Sequence, residues 1–169
     1  MTDAAAITRA LEPYAISQWL GVVPHPYVAW HARKFLGTAA IAEGIDGDIP
    51  RVVTLRANPR ILVGLVGLRQ TDPLTLSLGY WIAGPFQGFG VATEAARALI
   101  DFAFTERAIE TITATVLPDN VASQRVLAAA GLRRQFRREL MYVRGRHRKH
   151  WVHTYRLDRH HWWAHVPPG

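Results

Sequence analysis

The spacing of apolar positions divides the chain into two regimes. From the N-terminus to about residue 40 they recur at helical intervals. Ile7, Leu11, Ala15 and Trp19 mark one helix over 4–19, and the pattern resumes over 27–40. Between the two, Val23-Pro24-His25-Pro26 interrupts the helix, because proline restricts both itself and the residue before it. Beyond the turn-rich stretch Glu43-Gly44-Ile45-Asp46-Gly47-Asp48 the period shortens. Strands are predicted at 51–56, 61–68 and 74–82, punctuated by Asn58-Pro59 and Thr71-Asp72-Pro73. Helical spacing returns over 91–104, where Ala92, Ala95, Ala96, Leu99, Phe102 and Ala103 form a small-residue face. A β-branched strand at 111–117 follows, then a helix over 121–130 that Asn120 caps and Gly131 stops, then strands at 137–144 and 150–157. The order ααβββαβαββ predicts a mixed α+β domain, an antiparallel meander followed by a βαβ unit whose two strands lie parallel in the same sheet.

With 169 residues, 49% of them hydrophobic and 20% charged, the chain is sized for a single domain with a substantial core. We place that domain at 1–158 and read 159–169 as a His/Trp-rich C-terminal tail. The longest apolar run, 61–68, has eight residues, far short of the roughly 18 that cross a bilayer. The start Met-Thr-Asp-Ala-Ala-Ala lacks the form of a secretory signal. A cytoplasmic protein without a membrane partner is the expectation. The absence of cysteine excludes disulfides, a thiolate zinc site and a thiol nucleophile. His147, His150, His153, His160, His161 and His165 match no standard ligand spacing, and no carboxylate clusters with them along the chain, so no metal is expected.

The net charge of +7 is localised. Residues 133–150 hold eight basic side chains and one acid, Glu139, and the remainder of the chain is neutral. Three readings stay open for this segment: attraction of a polyanionic ligand, docking of an acidic or RNA-bearing partner, and a solvated arginine face, the commonest outcome for such runs. If the segment borders an acceptor cleft, it disfavours a highly cationic acceptor.

The sharpest local feature is Gln87-Gly88-Phe89-Gly90-Val91-Ala92, between a predicted strand and a helix start. Unpaired N–H groups and the helix dipole favour an anion there, and glycines allow its close approach. Gly90-Val91-Ala92 lacks the Lys-Ser/Thr of a P-loop, and Thr93 stands where a dinucleotide fingerprint needs its third glycine.

The pattern Gln87-x-x-Gly90-x-Ala92 resembles the pyrophosphate signature of the GNAT superfamily of acetyl-CoA-dependent N-acetyltransferases. Leu78-Gly79-Tyr80-Trp81-Ile82 before it, and Asn120-x-x-Ser123-x-x-Val126-Leu127 running to Gly131-Leu132 after it, are similar to the RimJ/RimL-like branch. The resemblance extends over about residues 4–157. It implies a GNAT-like, mostly antiparallel sheet and acetyl transfer from acetyl-CoA, as co-substrate, to a primary amine on a protein N-terminus or a small molecule. It also implies that Trp81, Ile82 and Ala83 pair with the pantetheine arm, and that Ile82 N–H polarises the thioester carbonyl. Gln87, Gly88, Phe89, Gly90, Val91, Ala92 and Thr93 are then the pyrophosphate cradle, Asn120 a pantetheine contact, and Ser123 the group facing the leaving sulfur. His25 and Tyr27 fall where the family builds an acceptor wall.

Departures accompany the match. Leu127 stands where many members carry an acidic tyrosine, and Ser77 stands where a glutamate base is common. Gly145 is followed by basic residues with no acid, which unsettles the usual acceptor contact. The family's opening strand is not evident before Asp3-Ala4, so the first edge strand is read as missing or supplied by a second copy in a homodimer. The competing reading is a non-catalytic, CoA-responsive or RNA- and ribosome-associated domain on the same fold.

Overall fold

The computed structural model describes residues 3–45 and 47–164, with the backbone alone over 40–45. Asp46, within the predicted turn, and residues 165–169, including His165 of the predicted tail, lie outside the described residues. The N-terminal helical region comprises α1 (Asp3–Leu11), α2 (Tyr14–Ser17) and α3 (Ala29–Ile45). The single helix expected over 4–19 is thus two, because Pro13 ends the first and serves as the cap of the second.

The meander is built from β1 (Ile49–Leu55), β2 (Asn58–Asp72) and β3 (Thr75–Ile82). Strand β2 is twice as long as its apolar run suggested, since its two ends are exposed and leave no hydrophobic signal. A 3-10 turn (Gly84–Phe86) leads to α4 (Val91–Glu106), then β4 (Thr111–Val116) and α5 (Val121–Ala129). The chain closes with β5 (Arg133–Val143), β6 (Arg148–Asp158) and α6 (Arg159–Trp163). The six strands form one sheet in the order β1-β2-β3-β4-β6-β5, antiparallel except for β3 with β4. Strand β1 lies at one edge of this sheet.

Side chains from the two faces enter separate cores. On one face Val66, Leu68, Leu76 and Leu78 pack with Leu99, Ile100 and Phe104 of α4 and Leu127 of α5. On the other, Trp81 joins Ile7, Leu11, Tyr27 and Ala32 beneath α1 and α3. Phe102, expected on the buried face of α4, is partly exposed, with the Arg51 guanidinium 5.7 Å from its ring centre, and Phe104 takes the core position. The first residues of the C-terminal segment are tied to the domain. Trp162 packs on Phe104 and donates its indole N–H to Asp101 at 2.6 Å. Arg159 donates to the backbone oxygens of Phe104, Arg107 and Ile109, satisfying carbonyls that the end of α4 leaves free.

Strand β5 begins four residues earlier than expected, because only Val143 along it is buried. A register shift between Arg134 and Arg138 carries Phe136 fully into solvent. Arg134 donates across to Nδ1 of buried His153 at 3.1 Å. Burial, then Arg134 and Arg138, lower the His153 pKa below the ordinary histidine value. The unfolded chain therefore takes up a proton near pH 6.5 that the folded protein resists. This contribution to stability is complete above that pH and is lost as the pH falls toward the lower folded value. Tm followed from pH 7.5 to 5 is expected to decline, and the substitution His153→Gln to flatten that decline. An unchanged slope in the variant would assign the pH dependence elsewhere.

Candidate active site

The central irregularity of the sheet is where β3 and β4 part. They pair only over Thr75–Ser77 and Thr111–Thr113, after which β3 continues to Ile82 and β4 to Val116 on diverging courses. In an antiparallel pair, residues alternate between bonding the neighbour and facing away from it. Ala83 donates its N–H to the Val63 oxygen at 2.8 Å, so Gly79 and Trp81 also bond toward β2. Leu78, Tyr80 and Ile82 consequently turn their backbone groups toward β4, where pairing has ended. The Gln87 amide donates to the Ile82 carbonyl at 2.8 Å and fixes that peptide, leaving Ile82 N–H facing the slot.

The slot opens onto the turn at the head of α4. Gly88 and Gly90 adopt φ of 84° and 81°, left-handed values that disfavour any side chain, although a Cβ at either would meet nothing. Gly90 caps α4, and its carbonyl accepts the first helical bond, from Glu94 N–H. The preceding N–H groups of Val91, Ala92 and Thr93 have no intrahelical partner and sit at the positive end of the dipole. Across the slot, Asn120 Oδ1 accepts the Ser123 N–H at 3.1 Å and starts α5. The Tyr80 hydroxyl lies 2.8 Å from Ser123 Oγ and 3.2 Å from the Ser123 carbonyl, and its single hydrogen is directed at one of these oxygens or shared between them. Burial pushes the Tyr80 pKa up to about 12; the Ser123 bond pulls it down and Tyr155 adds to the rise. Tyr80 is therefore a standing donor and not an acid at neutral pH. Leu127, one turn beyond Ser123, is buried in the core at 1% exposure.

A cleft of about 1330 Å³ runs through the slot and under α3. Trp81, Ile82, Gln87, Gly88, Gly90, Val91, Ala92, Thr93, Asn120 and Ser123 all line it, as do Tyr27 and Ser77. Ala83, Phe89 and His25 are not among the lining residues. Phe89 is 80% exposed, and His25 is tied by its Nδ1 to Ser17 Oγ at 3.0 Å, with its ring against Tyr14. Its carbonyl accepts the His147 Nε2–H at 2.6 Å. Tyr27 is buried, which raises its pKa, and its ring lies 5.3 Å from that of His31. His31 Nδ1 accepts the Val28 N–H, which leaves Nε2–H to the cleft.

Sequence reasoning missed Tyr80 as a polar participant and missed Trp30, His31, Lys34 and Arg69 altogether. Strand alternation signals Tyr80: it shares a face with Leu76 and Leu78, opposite to Trp81. The α3 residues carry no motif; only their i, i+1, i+4 placement on one helix groups them.

The arginine-rich segment has mixed fates. Arg146 donates to the Gln18 carbonyl, pairs with Asp119 at 2.8 Å and lies over Trp19, binding the β5–β6 turn to α2. Gly145 is required there, because a Cβ would lie 1.9 Å from the Ser17 oxygen. The expectation that no carboxylate clusters with the histidines is corrected: Asp158, His160 and His161 bring ligand atoms within 4.8 Å of one another. Chain reversal from β6 into α6 places them together. Asp158 Oδ1 is already held by Arg156 at 2.7 Å and Thr111 at 2.9 Å, and the cluster lies at the far end of β4 from the slot. Burial works to raise the Asp158 pKa, but the Arg156 and Thr111 bonds outweigh it and hold the carboxyl low.

The splayed parallel pair leads to a glycine turn at a helix start within a mixed, mostly antiparallel sheet. The chain belongs to the GNAT family: the family model described as "Acetyltransferase (GNAT) domain" matches residues 1–133. It is similar to the probable N-acetyltransferase YjcK of Bacillus subtilis, 38% identical over 77 residues, which are 44% of this chain and 42% of that one. The chain thus spans less than half the length of this curated relative. Solved structures show the same fold. A GNAT-family acetyltransferase from Bacillus anthracis superposes with a TM-score of 0.79 at 21% identity, over 94% of this chain and 90% of that one. RimL, the ribosomal L7/L12 α-N-protein acetyltransferase solved with coenzyme A, gives 0.78 at 18%, over 92% and 88%. Among the described residues no helix is long and apolar enough to cross a membrane.

The Asn120 cap is testable without any ligand. Asn120→Ala is expected to cost about 1 kcal/mol and lower Tm by roughly 2–4 °C, whereas Asn120→Asp, which accepts the same N–H, should stay near wild type. Thermal unfolding of the two variants decides it.

Proposed function

We propose that this protein transfers the acetyl group of acetyl-CoA to a primary amine by direct attack on the thioester. The observation that carries the reading is the bare β3 edge ending in the glycine turn of α4. An extended pantetheine arm fits beside Tyr80 and Ile82 as an added strand, and a pyrophosphate fits the N–H groups that follow Gly90. In this role Gln87 acts through Ile82, whose carbonyl it fixes, rather than on the phosphates.

The chemistry asks mainly for positioning and electrostatics. As the amine nitrogen bonds to the carbonyl carbon, Ile82 N–H stabilises the negative charge on oxygen. As the C–S bond breaks, Ser123 Oγ–H faces the sulfur and supplies a hydrogen bond or its proton to the thiolate. Tyr80 is the positioning residue: when its hydrogen turns from the Ser123 carbonyl to Ser123 Oγ, the serine hydrogen is free to point at sulfur. No carboxylate stands at Ser77, so the amine proton leaves through solvent, which suits an α-amino group with pKa of about 8.

The bare Ser77 position and the exposed arginines of β5 favour a second reading, a CoA-responsive or RNA-associated domain without turnover. Incubation with acetyl-CoA and a panel of amines and peptides, followed by thiol release, separates the two. Turnover supports transfer. No turnover, together with RNA retention that falls steeply with salt, supports the second.

Under the first reading Ser123→Ala lowers kcat on the order of 100-fold with acetyl-CoA affinity within about threefold. Tyr80→Phe lowers kcat by about tenfold, and the double variant is little worse than Ser123→Ala alone, as expected for two groups acting through one bond. Unchanged turnover in Ser123→Ala removes the serine from the mechanism.

A further inference from the structure

The half of the cleft beyond the slot is floored by β2 and β3 and covered by α3. Gly67 and Gly79 stand directly opposite each other on β2 and β3, so the floor there carries no side chains. A Cβ on Gly79 would meet nothing within 4 Å. One pair further along the same face in one direction is Leu65 with Trp81, an apolar wall. One pair further in the other direction is Arg69 with Ser77. Cβ atoms of such directly opposed residues are about 5 Å apart. The roof is α3, from which His31 and Lys34 line the space; the Lys34 ammonium lies 5.2 Å from the centre of the Trp30 ring.

The charges in this half are unequal. Lys34, Arg69, Arg125 and Arg144 line the cleft, Arg69 beside its Gly67–Gly79 floor, and among the described residues none of the four side chains has an ion-pair partner. Asp48 is the one acid among the described lining residues; its Oδ1 accepts the Gln70 N–H at 2.8 Å, and its single charge offsets only part of the cationic excess. These cations are exposed, and a cleft lined mainly by one sign of charge concentrates the opposite sign. Neither Lys34 nor Arg69 belongs to the arginine-rich segment, so this bias is a property of the cleft itself.

We infer that the acceptor is an amine carrying a carboxylate within a few bonds of its nitrogen, the carboxylate held by Arg69 with support from Lys34. Arg69 lies one two-residue repeat, roughly 7 Å, along β2 from Gly67, the residue opposite Gly79. That spacing, together with the reach of an arginine, places the nitrogen over the Gly67–Gly79 floor beside the β3 edge. The planar guanidinium suits a carboxylate in bidentate fashion. A polycationic acceptor is disfavoured by the same charges. This inference rests on the acetyl-transfer reading for the direction of approach, and its test includes a readout that does not need turnover.

Thiol release is measured with matched acceptors: free α-amino acids against their neutral α-amides, and peptides with aspartate or glutamate at the second and third positions against the same peptides with lysine. Carboxylate-bearing members are expected to show kcat/KM at least about tenfold higher, with the gap narrowing at high salt. Preference in the free series identifies a small-molecule acceptor, and preference confined to the peptides identifies a protein N-terminus. Arg69→Gln should remove most of the gap while acetyl-CoA affinity stays within about twofold, and Arg69→Lys should keep part of it. Equal rates for neutral and anionic partners, faster rates for the lysine peptides, or an unaltered preference in Arg69→Gln would overturn the assignment. If nothing is acetylated, the transfer reading fails, and binding of the N-acetylated amino acids and acidic peptides to the CoA-loaded protein, followed by NMR, still judges the anion site. Weakening in Arg69→Gln upholds it, and binding that is absent or indifferent to Arg69 overturns it.

Discussion

Three residues of parallel pairing hold the centre of this sheet together, and everything functional follows from their stopping at Ser77 and Thr113. Beyond them β3 stays bonded to β2 and β4 stays bonded to β6, so the molecule becomes two half-sheets hinged at the apex of a wedge. A strand edge in the middle of a sheet is costly unless water or a ligand satisfies it. Here it is short and faces a cleft rather than bulk solvent, and its far carbonyl, at Ile82, is already satisfied by Gln87. What remains open is a row of backbone groups at a strand's natural spacing, which is a template for an extended ligand and for little else.

The wedge is bridged at one further point. Tyr80 belongs to one half-sheet, and Ser123 begins the helix that follows the last strand contact of the other. Their 2.8 Å bond crosses the slot and sets the distance between the halves near the mouth. Asn120 contributes by fixing the first turn of α5, so that Ser123 is presented on a rigid helix rather than on a loop. A buried tyrosine that stays protonated suits this task, because a tyrosinate would accept from Ser123 and turn the serine hydrogen away from the slot.

The fold was legible wherever burial imposed a period. Strand β3, with Leu76, Leu78 and Ile82 buried, and helices α4 and α5 came out close to their observed limits. Strand β5 did not, since a strand with one buried residue writes no alternation, and the exposed ends of β2 were lost for the same reason. The glycine turn and the Asn120–Ser123 cap were legible because each carries out a local backbone task that few residue types can perform. The acceptor half was not. Arg69 meets Ser77, and Gly67 meets Gly79, only through the register of two strands, and register is a tertiary fact. The Asp158–His160–His161 cluster was overlooked for a related reason, as the helix that gathers it is five residues long and has no apolar repeat.

The electrostatics show why a net charge is a poor guide to a site. The excess of +7 sits in 133–150, yet Arg146 there is consumed in joining the β5–β6 turn to α2 and Asp119, and Arg134 in its bond to His153 Nδ1. Much of the rest of the segment lies along an exposed strand, where water screens it within about 10 Å. From that segment Arg144 is the one cation among the described residues that line the cleft, while Lys34 and Arg69 come from the part of the chain that is neutral overall. Charges of one sign that line a cleft concentrate the opposite sign there, and Lys34 and Arg69 line this one beside Gly67 and Gly79. On the proposed reading, the choice of acceptor falls to a few charges that the composition conceals, and the arginine-rich surface that the composition announces is in good part scaffold.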